Sequence, residues 1–329
     1  MFGRILGGIG KALIIAGVLV LGFAAYQLWG TSLSQANAQA DLTKSLAKDS
    51  LVSPEGVSNA DGTVGLERLV EDFSSVNSAT APPTAPPPEG DPVGIITIQK
   101  IDLQRVIVEG VSKADLKKGP GHYPGTPLPG QAGNSAIAGH RTTYGAPFNR
   151  IDELLPGDEV RVATPQGEFT YLVIPAPGET TQAWYAVSPA QVEVLANFGD
   201  NRITLTACHP KYSAKQRIIV HAVLKNPPAA AALVVAPPAD ANAPPSATEQ
   251  ADAQFDAQFD AQFDEGQAGD PEALRTALLL GAAALAVALL AYLLGKYLRR
   301  WPMYVLATPL VLGLIWYMYV YMDRYLPAL

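Results

Sequence analysis

Residues 202–224 read RITLTACHPKYSAKQRIIVHAVL, two short runs of alternating apolar and polar residues around a loop that opens on Pro210. Each run has the β-branched content and the period of two that mark a strand. Cys208, which closes the first run, is the sole cysteine in a chain of 329 residues. It cannot form an internal disulfide, so its use is packing, an intermolecular bridge, ligation or nucleophilic attack. If the two runs pair as neighbours, the loop returns Arg217 to the neighbourhood of the thiol. A guanidinium there favours the thiolate, the form that reacts.

Working outward, further runs of the same kind fill residues 92–225: GIITIQKI, RVIVEG, SAIAGH, DEVRVAT, EFTYLVIP and AWYAVS. With RITLTAC and RIIVHAVL they make eight segments, punctuated by turns such as Pro156-Gly157-Asp158 and Pro165-Gln166-Gly167. The pattern predicts an all-β domain of ordinary size, either a closed antiparallel barrel or a sandwich. The histidines are His122, His140, His209 and His221. Their spacing is not that of a zinc site, and no glycine-rich phosphate loop or basic nucleic-acid stripe accompanies them, so no metal, cofactor or nucleic-acid partner is expected.

A reactive thiol also needs an imidazole. His209 follows Cys208 directly, and successive strand side chains point to opposite faces. His221 lies four residues beyond Arg217, on the order of 13 Å along a strand. His140 closes the run SAIAGH between Gly139 and Gly145, which permit an unusual turn at a sheet rim. Spacing alone leaves the choice open.

The flanks differ in kind. Residues 31–91 are rich in Ser, Ala, Asp and Pro and end in TAPPTAPPPEGDP; they read as a flexible linker in which DLTKSLAKD and LERLVEDF could form short helices without a core. Residues 226–275 read as a disordered Ala/Pro/Asp linker. It holds the triplet AQFDAQFDAQFD, whose period of four would align Phe255, Phe259 and Phe263 on one side of a helix.

The ends are apolar. Ala12–Trp29 is an uncharged stretch preceded by Arg4 and Lys11, long enough for a membrane anchor over residues 1–30 with a cytoplasmic N-terminus. A cleaved signal peptide is the alternative, since Ala36-Asn37-Ala38 has the small-x-small form. Thr276–Gly295 and Trp301–Met322 read as a transmembrane hairpin over 276–322, with Lys296, Arg299 and Arg300 between them marking the cytoplasmic side. Both ends thus put residues 92–225 outside the cytoplasm of a multi-pass membrane protein. These zones explain a composition with 48% hydrophobic residues, 28 prolines and a net charge of -7, which fits no single globular class.

The motifs AGHRTTYGAPF, TLTACHPKYSAKQRIIV and GPGHYPGTPLPGQAGN resemble those of the sortases, specifically the class E sortases of actinobacteria. The resemblance implies an eight-stranded closed β-barrel rather than a sandwich. It implies a cysteine transpeptidase with Cys208 as nucleophile, His140 as acid and Arg217 as carbonyl or oxyanion donor, with Tyr123 and Tyr144 along the substrate path. The implied partners are secreted proteins carrying a C-terminal LAxTG- or LPxTG-like sorting signal, and an amine of a peptidoglycan precursor or a pilin. Ala207 departs from the family pattern, which places Thr before the cysteine. Two other readings are a catalytically silent membrane scaffold and a hydrolytic cysteine peptidase.

Overall fold

The computed structural model describes residues 2–49, 65–231, 271–297 and 300–326. Its long helices are α1 (Phe2–Ala25), α2 (Thr31–Asp49), α3 (Leu66–Ser74), α4 (Pro271–Tyr297) and α5 (Arg300–Tyr325). The chain divides into a helical unit, with α1, α4 and α5, and a unit built on a sheet that begins at Gly30.

The sheet has nine strands: β1 (Pro92–Ile98), β2 (Leu103–Glu109), β3 (Gly121–His122), β4 (Asn134–Ala138), β5 (Glu159–Thr164), β6 (Gly167–Val173), β7 (Trp184–Val187), β8 (Arg202–His209) and β9 (Gln216–Leu224). They run in the order β6-β5-β1-β2-β3-β4-β8-β9, and the end of β9 pairs back onto β6. Eight strands therefore close a barrel, and β7 continues the edge of β9 through Arg217–Val220. The eight expected segments are all present; β3, only two residues long, is the addition. The barrel is not wholly antiparallel, however, because β2–β3 and β4–β8 are parallel. Turn residues report only pairings between neighbours in sequence, and these two pairs need crossovers.

Alternation fills the interior. Ile203, Leu205 and Ala207 of β8 and Ile218, Val220 and Ala222 of β9 join Ile96, Ile107, Ile137, Phe169 and Tyr171 in one buried cluster. Tyr171 is accommodated because its hydroxyl accepts the Gly130 N–H at 2.6 Å.

The outer face of β1, β2 and β5 is also apolar. Ile95, Val106, Val108 and Ala163 lie under Leu42, Leu46 and Ala47 of α2 and Leu69 and Phe73 of α3. Burying a Leu or Phe side chain contributes roughly 1.5–3 kcal/mol, so this cover is a substantial part of the domain. Residues 31–91 are thus not a featureless linker: 31–49 and 66–74 are helices with a buried face, while 50–64 lie outside the described residues. The buried face of α2 begins with Thr31, Gln35 and Gln39, and a polar start of that kind does not read as a core stripe. Gln39 replaces a missing strand partner, accepting from Val106 N at 2.8 Å and donating to Val106 O at 3.0 Å. The proline-rich run is tied down as well, since Gln166 donates to Pro82 O and Gln131 to Thr84 O.

At the other boundary, Ala229 N donates to Gly130 O and Gln166 donates to Ala230 O, so the domain continues past residue 225. The AQFD triplet lies outside the described residues.

In the helical unit, Glu272–Tyr297 and Trp301–Tyr325 are long and apolar enough to cross a membrane by length and composition. Leu278, Leu279, Leu285, Leu306 and Trp301 are exposed along them. Tyr319 donates to Leu19 O at 2.8 Å, and Tyr26 meets Trp316 edge-on with centroids 5.1 Å apart, which join α5 to the N-terminal helical stretch.

Candidate active site

The parallel β4–β8 pair is the frame of the site. Asn134 aligns with Arg202 and Ala138 with Thr206, and beyond the last paired residue Gly139 N still donates to Thr206 O at 3.0 Å. His140 stands two residues past Ala138 as Cys208 stands two past Thr206. On its other side Cys208 pairs with Arg217. Cys208 and Arg217 therefore form a row across β8 and β9, and His140 follows the end of the neighbouring β4, two residues past the last β4–β8 pair.

Strand parity sets which way the row faces. The β8 residues between Thr204, Thr206 and Cys208 are Leu205 and Ala207, which belong to the interior cluster, so the thiol leaves the sheet on its outer side. Cys208 is half-buried, His140 is buried and Arg217 is half-buried. The arginine donates through Nη1 to Ala214 O at 3.0 Å and Gln216 O at 3.1 Å, which orients its guanidinium. Beside the row lies a small apolar cluster of Val111, Tyr123, Ala136, Ala138 and Leu195.

Tyr123 reports the local electrostatics. Its hydroxyl sits 3.2 Å from Thr206 Oγ1. Burial pushes its pKa up; the Thr206 bond and the charge of Arg217 pull down, and Cys208 pushes up again. The phenol thus lies within electrostatic reach of both residues. Tyr144 stacks at a tilt on His140, with centroids 5.2 Å apart, and Lys117 Nζ stands 5.0 Å from the Tyr144 ring centre. Both tyrosines are buried.

The other histidines are engaged elsewhere. His209 pairs with Gln216 and faces away from the row, 5.4 Å from the Trp184 ring. Burial lowers its pKa, the charge of Arg141 lowers it further, and Asp152 opposes both. His221 lies between Thr204 Oγ1 at 2.9 Å and Tyr185 OH at 2.8 Å. Burial first, and then the charge of Arg202, push it down to about 4 against the opposing charge of Asp200. His122 is buried against Glu109 at 2.7 Å.

One residue escaped the sequence reading. Arg141 is buried, and its guanidinium donates to Asn149 O, to Cys208 O and to His209 Nδ1, each at 3.3 Å. It also forms an ion pair with Asp152 at 2.8 Å. It ties the backbone of Cys208 to the segment that carries His140. The residue after a histidine gives no hint of this in a sequence, because the partners, Asn149 O, Cys208 O, His209 Nδ1 and Asp152, lie elsewhere in the chain. Ala207 is buried in the interior and pairs with Ile218, so the departure from the family pattern removes no group from the face of Cys208.

A thiol, an imidazole and a guanidinium near the rim of a closed barrel make a candidate nucleophilic site, and the comparisons give the family of the domain that carries it. The sortase domain family matches residues 96–225. Sortase SrtE1 of Streptomyces coelicolor is 35% identical over 227 residues, covering 64% of this chain and 55% of that protein. Sortase D of Bacillus subtilis is 32% identical over 162 residues, covering 49% of this chain and 72% of its own length. A solved structure of sortase E from Streptomyces avermitilis matches at 35% identity with a TM-score of 0.36, over 42% of this chain and 90% of that one. The chain belongs to the sortase family. It spans about half the length of the Streptomyces coelicolor protein.

Proposed function

We propose that the protein is a membrane-anchored cysteine transpeptidase that cleaves an LAxTG- or LPxTG-like sorting signal between Thr and Gly. In the first step the Cys208 thiolate attacks the threonine carbonyl, a C–S bond forms, and the C–N bond to glycine breaks. His140, as imidazolium, gives its proton to the departing glycine amine. Arg217 donates to the carbonyl oxygen as its negative charge develops, the moment at which a fixed donor lowers the barrier most. In the second step an amine attacks the thioester, His140 takes back a proton, and the thiolate leaves. The acceptor is an amine of a cell-wall precursor or a pilin. Tyr123 and Tyr144 flank the path of the peptide.

The observation that carries this reading is the pairing of Cys208 with Arg217, with His140 two residues past the end of the neighbouring strand β4. Family membership supports it independently. The apolar helices, with Lys296, Arg299 and Arg300 at the junction of the last two, support a multi-pass protein whose catalytic domain is extracytoplasmic. The test is full-length protein in detergent given a labelled LAxTG peptide, with and without an added amine. Amine-dependent formation of a new amide supports transfer. Cleavage indifferent to the amine would make the enzyme a hydrolase, and no cleavage or labelling of Cys208 by any sorting-type peptide would sink the reading.

A further inference from the structure

The segment that carries His140 is held in an unfavourable backbone form. Tyr144, Gly145 and Ala146 are three successive left-handed residues, with φ of 49°, 71° and 43°. For the two that are not glycine this conformation is costly and persists only where surroundings impose it. Part of what imposes it comes from α2. The Tyr144 N–H donates to Thr31 Oγ1 at 3.2 Å. One helical turn on, Gln35 lies against Gly145, where an added Cβ would fall 2.5 Å from Gln35 Oε1. A second turn on, Gln39 anchors the helix to β2.

Thr31 and Gln35 are 1% and 2% exposed, so this contact is part of the interior and excludes water. Among the described residues Gln35 Nε2 is a buried donor with no hydrogen-bond partner. A buried spare donor lowers stability, and an aliphatic side chain would fill the same space. The polar stripe of Thr31 and Gln35 thus serves the loop better than it serves the stability of the helix.

We propose that α2 is a working part of the active site and that Thr31 is a positioning residue for His140. Thr31 fixes the Tyr144 backbone, the fixed backbone keeps the Tyr144 ring on the imidazole, and the ring sets the angle at which His140 meets the leaving amine. The inference rests on the reading above in which His140 is the acid. It adds to that machinery a helix outside the matched family region, which begins at residue 96.

The experiment uses the full chain in detergent micelles, with histidine labelled at the ring carbons and the His140 signal assigned by its loss in His140→Gln. Thr31→Val keeps the shape and removes the acceptor. Thr31→Ser keeps the acceptor. Thr43→Val is the control, since the Thr43 hydroxyl donates within the helix to Gln39 O. The expected result is that Thr31→Val moves the His140 ring signal, leaves those of His122, His209 and His221 in place, and lowers kcat on a sorting peptide roughly ten- to a hundredfold with KM unchanged. Thr31→Ser and Thr43→Val keep the wild-type signal and rate. An unmoved His140 signal in Thr31→Val overturns the proposal whatever happens to the rate, as does a shift of all four histidines together, which reports general damage. A moved His140 signal in a protein that cleaves no peptide even as wild type would sustain the positioning role and refute the proposed reaction.

Discussion

The two outer faces of the barrel are made from the same kind of strand and put to opposite uses. Over β1, β2 and β5 the outward residues are Ile95, Val106, Val108 and Ala163, and two helices seal them from water. Over β4, β8 and β9 the outward residues include Thr204, Thr206, Cys208 and Arg217, and Cys208 and Arg217 keep partial access to solvent. Apolar area removed from water is the main favourable term in folding, so the sealed face supplies stability. The open face buries only a small apolar cluster around Ala136, Ala138 and Tyr123, and it carries the proposed reactive groups. The contrast teaches where substitutions will affect chemistry and where they will affect the fold.

The sharpest way to break the comparison is Cys208→Ala. If the open face is chemistry alone, this variant forms no acyl-enzyme with a labelled sorting peptide, by mass spectrometry, while its thermal midpoint stays at the wild-type value. A folded variant with unchanged turnover would remove the thiol from the mechanism.

On the sealed face, Phe73→Ala removes a fully buried side chain and should cost about 3–5 kcal/mol of stability. Chemical denaturation measures it, and kcat assayed well below the new midpoint should stay close to wild type. A loss of rate without a loss of stability would mean that the two faces are not separable in this way.

Arg217→Lys divides two roles on the open face. Lysine keeps the charge and loses the planar fork. If hydrogen bonding to the developing oxyanion dominates, kcat falls roughly a hundredfold, about 3 kcal/mol. If the cation acts only through the thiolate, the rate survives and only the pH profile of turnover moves. The pH dependence of wild type, Arg217→Lys and Arg217→Ala on one peptide decides between them.

The smallest effect concerns His221, which sits on the open side of β9 yet is buried. Its folded-state pKa, about 4, lies below that of an exposed histidine, chiefly through burial. The unfolded chain therefore binds this proton first as pH falls, and stability declines between about pH 6.5 and pH 4. The loss attributable to this group is on the order of 2–3 kcal/mol at the acid end. Thermal midpoints from pH 7 to pH 4 should fall in wild type and fall less in His221→Gln. Equal slopes would assign the acid sensitivity to other groups.

Much of the barrel was legible in residues 92–225, because period-two alternation in runs such as RITLTAC and EFTYLVIP follows directly from strand geometry. The pairing of Cys208 with Arg217 was legible for the same reason, since a single loop joins their strands. The helices over the sealed face were harder to read. Thr31, Gln35 and Gln39 are buried by partners far away in sequence, and a polar residue shows no sign of being buried until those partners are known. Ile95 and Val106 carried a weak signal, because a strand apolar on both faces implies a cover.

The amino-acid sequence by itself determined the strands, their faces, the apolar ends and the presence of one thiol, all of which depend on the local period and the chemistry of side chains. Only the tertiary structure decided that β4 runs parallel to β8. Spacing left His122, His140, His209 and His221 in competition; a crossover pairing between distant segments aligns Ala138 with Thr206, two residues before His140 and Cys208. The physical reason is that hydrogen bonds between strands remote in the chain are chosen by closure of the whole barrel and burial of its interior. No short stretch of residues holds that information.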